Sequence, residues 1–283
     1  MENVNVEIKH TDAHDLSVFN DQIEMRTDAV VNGVKYLGQD VIVNNVRIKQ
    51  FDGAYHINRT DTMLETINAR LIEENVDLSD CEIIDRKWAS GGVNSRTMTF
   101  NKTNVTPKSA LGDPIKGQII IVNSYDGSRK ASIMFGLMRL ACLNGMVSLD
   151  KDTGVQALKK HTNSNVFEYE YRKLGMFKES LDRFAVQLQD YSNTVVSLDV
   201  VRDTLKKTIA KNEVRENQIM EYIDSNNRGS IDKIDLYSVY NGVTEWATHH
   251  SSRENAEMNN VYLNRQVLVN KFFNSTDFKQ LVA

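Results

Sequence analysis

The chain has 283 residues, of which 41% are hydrophobic and 25% charged, a composition typical of a folded globular protein and not of a disordered one. Its longest apolar runs, such as Ile119–Val122, are far shorter than the roughly 20 residues of a membrane span, and the start MENVNVEIKH lacks the apolar core of a signal peptide. We therefore expect a cytoplasmic protein with no membrane partner, and Cys81 and Cys142 lie too far apart in sequence for a CxxC site.

The net charge of −4 is distributed unevenly along the sequence. Residues 1–85 carry 7 Lys and Arg against 17 Asp and Glu, whereas residues 86–160 carry 12 against 4. A basic segment of this kind indicates a surface for a polyanion, because lysine and arginine that neutralise phosphates release condensed counterions. The other interpretation is that the acidic and basic segments pair with each other in the fold.

The first half of the chain reads as strands around one helix. Alternating apolar residues in VKYLGQDVIVNNVRIKQ, CEIIDRKW and RTMTFNKTNV predict strands, and Gly91-Gly92 predicts a hairpin over 81–101. Between them, TDTMLETINARLIEEN has the three- and four-residue spacing of a helix. A second hairpin, with a glycine-containing turn, is predicted over 119–147.

From about residue 163 the apolar period changes to that of helices and stays so to the end. Because strands and helices are segregated, the fold class is predicted as α+β: an N-terminal mixed antiparallel sheet with a packed helix, then a C-terminal α-helical region. The predicted division is 1–162 and 163–283, and the two parts could equally form one continuous domain.

Motifs for catalysis or cofactors are missing from the sequence. Neither GxxxxGK[ST], GxGxxG nor GxSxG occurs, so we predict no enzyme, no catalytic residues and no cofactor. The segment Asp224–Asp235 matches much of a calcium-binding EF-hand loop, but Arg228 stands where an oxygen ligand belongs and Asp235 replaces the usual glutamate. The alternative is a helix-to-helix turn with Gly229 at positive φ, and no metal residues are assigned.

The basic segment supplies the candidate nucleic-acid contacts. Single-strand binders combine a cationic track for the backbone with aromatic rings on which bases stack. The predicted stacking residues are Tyr125 and Trp88, either of which could instead be core, and the predicted cationic contacts are Arg96, Arg129, Lys130, Arg139, Lys159, Lys160 and His161. Arg139 lies within an apolar run and could equally be a buried partner for an aspartate such as Asp126.

The segment IIIVNSYDGSRKASIMFGLMRLACLNGMV, the basic Lys159-Lys160-His161-Thr162 element and Tyr240-Asn-Gly-Val-Thr-Glu-Trp246 together resemble the domain of unknown function 932 family. Tyr125 stands in place of the family's usual histidine and Leu143 in place of its serine. The resemblance implies a phage or mobile-element origin and no established activity. A weaker resemblance of the strand-rich half is to the annealing proteins that include phage Erf and Red-beta, which bind single strands on oligomeric rings or filaments without ATP.

The sequence thus leads to two functional hypotheses. The first is a phage-encoded, non-enzymatic, homo-oligomeric protein of the infected bacterial host cell that binds single-stranded DNA in annealing, replication or transcription, with RNA as an open alternative. The second is a phage protein-interaction module that inhibits a host defence or polymerase complex through the acidic N-terminal segment or the apolar end KFFNSTDFKQLVA.

Overall fold

The protein is described by a computed structural model that covers residues 6–31, 34–51, 55–88, 91–105, 115–139, 144–147, 156–159, 177–227, 232–249 and 258–282. Two compact units are present: residues 1–101, 119–134 and 156–177 form the first unit, and residues 102–118, 135–155 and 178–283 form the second. The predicted boundary at 162 and 163 lies outside the described residues. The α+β class is confirmed, since antiparallel sheets precede a mostly helical C-terminal half.

Strands dominate the first part of the chain, as the alternating pattern predicts. They are β1 (Val6–His10), β2 (Ile23–Val31), β3 (Val34–Val43), β4 (Val46–Phe51), β5 (Cys81–Trp88), β6 (Val93–Val105), β7 (Ile115–Ser124), β8 (Ala131–Arg139), β9 (Asn144–Val147) and β10 (Gln156–Lys159). Two short strands, β11 (Val195–Ser197) and β12 (Lys233–Asp235), lie in the C-terminal half. The largest sheet has the order β1, β5, β6, β7, β8, β10, with β9 also on β8. Strands β2, β3 and β4 form a separate sheet, and β11 pairs with β12.

The hairpin of β5 and β6 confirms the one predicted over 81–101. Its strands are antiparallel from the pair Cys81 and Phe100 to the pair Trp88 and Val93. Gly91 lies in the connecting turn with φ +85°, a left-handed conformation that glycine adopts without the steric cost of a Cβ. The predicted glycine turn therefore lies between the two strands.

Helix α1 (Thr60–Glu73) is the helix predicted from the segment that begins TDTMLETINARLIEEN. Its buried face consists of residues at three- and four-residue steps: Met63, Leu64, Ile67, Asn68 and Leu71. The buried amide of Asn68 donates to the carbonyl of Ala13 at 2.7 Å. The hydrophobic stripe thus fixes which side of α1 faces the interior of the first unit.

The second unit contains the remaining helices, as the change of period predicts. They are α2 (Phe177–Asn193), α3 (Leu198–Thr208), α4 (Glu213–Asn226), α5 (Leu236–His249), α6 (Met258–Phe273) and α7 (Thr276–Val282). Ser197 caps α3 and Asn212 caps α4, each through its side-chain oxygen. None of the described helices is long and apolar enough to cross a lipid bilayer.

An aromatic cluster forms part of the core of the second unit. The ring centroid of Tyr240 in α5 lies 4.6 Å from that of Phe273 and 5.8 Å from that of Phe184. The other rings in contact are Tyr191, Phe272 and Phe278. Gly242 lets α5 approach α4 closely, because a Cβ there would lie 2.5 Å from the Cα of Ile223.

Candidate nucleic-acid interface

The cations at residues 86–96 are paired with acids of the N-terminal segment. Arg86 donates to Glu7 at 2.8 Å, Lys87 pairs with Asp21, and Arg96 pairs with Asp85. These contacts correspond to the second interpretation of the charge pattern, in which acidic and basic segments neutralise each other within the fold. The basic character of this stretch is therefore largely used within the protein.

Arg96, one of the predicted nucleic-acid contacts, is completely buried. Its Nε and Nη2 each lie 2.7 Å from a different oxygen of Asp85, a bidentate arrangement, and Nη1 donates to the carbonyl of Ala13 at 2.8 Å. His10 shares the same carboxylate, with Nε2 2.8 Å from Oδ2. The assignment of Arg96 to a phosphate-binding surface is therefore corrected, since neither its charge nor its donors reach solvent.

The two predicted stacking residues are also interior. Trp88 is 3% exposed and Tyr125 is 0% exposed, so neither ring has a face on which a base could stack. The Tyr125 hydroxyl accepts from the backbone N–H of Thr60 at 3.0 Å and donates to Thr60 Oγ1 at 2.8 Å. It thereby satisfies one of the unpaired N–H groups at the start of α1, and Tyr125 and Trp88 are corrected to core residues.

Burial also alters the acidity of the Tyr125 phenol. Removal of the hydroxyl from water disfavours the phenolate and raises the pKa of Tyr125 from 10.0 to about 12, although the hydrogen bonds to Thr60 act in the opposite direction. Asn123 joins the same network, since its Nδ2 donates to the carbonyl of Asn58 at 2.7 Å and to Thr60 Oγ1 at 3.0 Å. Asn123, near the end of β7, and Tyr125, in the turn after it, therefore anchor the start of α1.

The rest of that turn, which we call the 124–130 turn, is closed by its own side chains. Ser124 Oγ accepts from the N–H of Arg129 at 3.1 Å and donates to the carbonyl of Arg129 at 2.9 Å. Asp126 Oδ1 accepts from the N–H of Ser128 at 2.8 Å, and Gly127 has φ +66°. Each contact is local, so the turn is held in shape by its own residues.

Two predicted cations lie at the end of the 124–130 turn. Arg129 is half-buried, and desolvation lowers the pKa of its guanidinium while the charge of Asp126 acts in the opposite direction. Lys130 is exposed. The structure thus places both residues where the sequence predicted them, at the point at which a strand begins beside solvent.

Strand pairing brings a third predicted cation to this position. Strand β10 is antiparallel to β8, and Lys159 lies directly opposite Ala131. The backbone of Lys130, which precedes Ala131, is therefore one residue away from the position opposite Lys159. We call Arg129, Lys130 and Lys159 the cationic edge.

The remaining predicted contacts are not placed at the cationic edge. Arg139 lies at the far end of β8, with its backbone opposite Asn144. Lys160 and His161 lie outside the described residues.

Residues that the sequence analysis did not single out lie against the 124–130 turn. The rings of Phe51, at the end of β4, and Tyr55 are stacked with centroids 3.7 Å apart and planes 7° apart. A Cβ on Gly127 would lie 2.8 Å from Cε1 of Phe51, so only glycine lets the turn approach so closely. The exposed Lys49 places its ammonium 5.2 Å from the Phe51 ring centroid.

No strong signal in the sequence marks this group. Lys49 and Phe51 end an ordinary alternating strand, and Tyr55 follows in a short connection, so neither spacing nor composition distinguishes them. Proximity to Gly127, 72 or more positions later, exists only in the fold.

The EF-hand-like segment is only partly described, since residues 228–231 lie outside the described ranges. Within the described part, Asp235 caps α5 by accepting from the N–H and hydroxyl of Ser238, each at 2.8 Å. Asn226 donates to Glu245 at 2.7 Å. Across the described ranges no group of three or more His, Cys, Asp and Glu side chains is arranged to hold a metal ion.

The sequence pattern of the family described as "Domain of unknown function (DUF932)" matches residues 53–268, which is well over half of the chain. That range includes the 124–130 turn, Lys159 and helix α5. No curated protein and no solved structure matches the chain.

Proposed function

Because the chain belongs to the DUF932 family, whose description assigns no activity, we propose from its own residues that it is a phage-encoded, non-enzymatic protein that binds single-stranded nucleic acid. The observation that carries the proposal is the cationic edge, where Arg129 and Lys130 end a closed turn and the backbone of Lys159 pairs with that of the next residue, Ala131. Lys160 and His161, the next two residues of the sequence, are the other cations predicted to contact phosphates in this stretch.

The proposed mechanism is electrostatic. Cations that neutralise phosphates release counterions, so the logarithm of the binding constant falls with the logarithm of the salt concentration, by roughly 0.7 per phosphate contact on a single strand. Three contacts at the cationic edge would give a slope of about −2. Contacts to phosphates carry no sequence information, so affinity should depend little on base sequence.

The test is a titration of a fluorescein-labelled oligothymidylate, followed by anisotropy over a series of salt concentrations. The variant Lys130→Glu with Lys159→Glu should bind more weakly on every sequence, and Lys130→Gln with Lys159→Gln should reduce the salt slope by about 1.4, which is about 0.7 for each lost contact. The matched control is Lys211→Glu with Lys233→Glu, which makes the same charge change at two exposed positions of the second unit. Absence of binding by the wild-type protein at low salt would refute the proposal.

The same titration with oligouridylate compares RNA with DNA, and sedimentation of the complex tests the proposed homo-oligomer. The alternative function, a module that inhibits a host complex, makes an opposite prediction. Recovery of one stoichiometric host protein from a lysate by a chain that has no affinity for single strands would replace the present proposal. Asp21 pairs with Lys87 and Asp85 pairs with Arg96, so fewer carboxylates of the acidic N-terminal segment are left to bind a host protein.

A further inference from the structure

The stacked rings of Phe51 and Tyr55 form a platform that the protein holds in place. Tyr55 donates its hydroxyl to the carbonyl of Ser124 at 3.2 Å, which ties this ring to the 124–130 turn. Both rings also pack against the buried cluster of Val41, Val43 and Tyr125. The platform is therefore preorganised, because its rings are fixed before any ligand arrives.

The two faces of the Phe51 ring have different neighbours. Tyr55 fills the first face with its centroid 3.7 Å away and its plane nearly parallel. The ammonium of Lys49, 5.2 Å from the ring centroid, consequently lies over the second face. Lys49 is exposed and its side chain is flexible, so the ammonium can move away from that face of the ring.

The charges around the platform favour an anionic chain. Lys49 lies over Phe51, and Gly127, where a Cβ would lie 2.8 Å from Cε1 of the same ring, is followed within three residues by Arg129 and Lys130. Asp126 is the acid of the turn, and its Oδ1 already accepts from the N–H of Ser128. An aromatic face flanked by cations is the combination that binds a base and its neighbouring phosphates.

We infer that Phe51, supported by Tyr55, stacks on one base of a single strand, while Lys49 moves from the ring to a phosphate. This inference rests on the proposed function and deepens it, because it replaces the buried Tyr125 and Trp88 as the stacking residues. Bases of a duplex are already stacked on one another, so the platform selects a strand whose bases are free.

The experiment compares an oligothymidylate with an abasic oligonucleotide of the same length, which keeps the phosphates and lacks the bases. Phe51→Leu should weaken binding of the oligothymidylate by about 5- to 150-fold and leave binding of the abasic strand unchanged. Phe51→Tyr keeps an aromatic ring and should retain wild-type affinity for both.

A second variant keeps the test independent of any loss of packing in Phe51→Leu. Phe51→Trp places a fluorophore at the platform, whereas Trp88 and Trp246 are buried. The oligothymidylate should quench the new fluorescence and the abasic strand should not. If wild type and Phe51→Leu bind each strand equally well, and the oligothymidylate does not quench Phe51→Trp selectively, the stacking site is refuted and the proposed function stands. If wild type binds neither the oligothymidylate nor the abasic strand, both the stacking site and the proposed function are refuted.

Discussion

Replacement of Arg96 by methionine should strongly destabilise the first unit. Arg96 and Asp85 have side chains that are each 0% exposed, and their two 2.7 Å contacts are the main compensation for two buried charges. Arg96→Met removes one partner and leaves the carboxylate buried with only His10 beside it. Breaking a buried ion pair in this way costs about 3–5 kcal/mol in the free energy of unfolding.

The measurement is urea unfolding followed by tryptophan fluorescence in a Trp246→Phe background, so that the signal comes from Trp88, three residues from Asp85 on the same strand. The control is Arg47→Met, because Arg47 pairs with Asp40 at 2.7 Å with 55% of its side chain exposed, and exposed pairs contribute about 0–1 kcal/mol.

A double variant separates the charge from the packing. Asp85→Leu with Arg96→Met leaves no charge unpaired, so it should be more stable than Arg96→Met alone. If Arg96→Met costs no more than Arg47→Met, under about 1 kcal/mol, the reasoning about the buried pair is refuted.

Two further predictions concern Tyr125 and Gly242. Tyr125→Phe removes the hydroxyl that bonds Thr60, at a cost of about 1–3 kcal/mol near neutral pH. The pKa of Tyr125 is about 12 in the folded protein against an ordinary 10.0, so the stability that the phenol contributes is complete below pH 10 and is lost as the pH rises through 12. The free energies of unfolding of wild type and Tyr125→Phe are therefore compared at pH 10 and at pH 12. The same difference between the two proteins at both pH values would contradict the prediction. Gly242→Ala should lower the free energy of unfolding by about 1–3 kcal/mol in thermal unfolding, because its Cβ would overlap the backbone of Ile223. The control Val214→Ala, at a position 67% exposed, should be nearly neutral. Equal effects of the two substitutions would contradict the prediction.

Patterns of local origin predicted the fold well. The apolar stripe from Met63 to Leu71 predicts α1, and alternation with Gly91 in the turn predicts the hairpin of β5 and β6. The change to a helical period likewise predicts the helices of the C-terminal half. In each case the signal and the structure lie within one or two turns or strands, so nearby residues determine the outcome.

The candidate site was only partly predictable, because it depends on contacts between distant residues. Arg129 and Lys130 follow the turn as the sequence predicts, because charge next to a turn is visible in the sequence, and their contact with nucleic acid stays a prediction. The predicted roles of Trp88, Arg96 and Tyr125 as nucleic-acid contacts were wrong, because all three side chains are buried. The alternating pattern does not reveal which of these side chains pack in the core or meet a buried partner. Asp85, at an inward position of β5, would have been the signal that Arg96 faces inward too.

The pair of Asp85 and Arg96 also has a consequence for how the strands align during folding. A slip of two residues would keep every apolar side chain of β5 and β6 on its own face, so the hydrophobic pattern alone does not prevent it. Such a slip would set Asp85 opposite Asn94 or Met98 in place of Arg96, and two charges would be buried apart. The ion pair therefore selects one alignment among those that the apolar pattern permits.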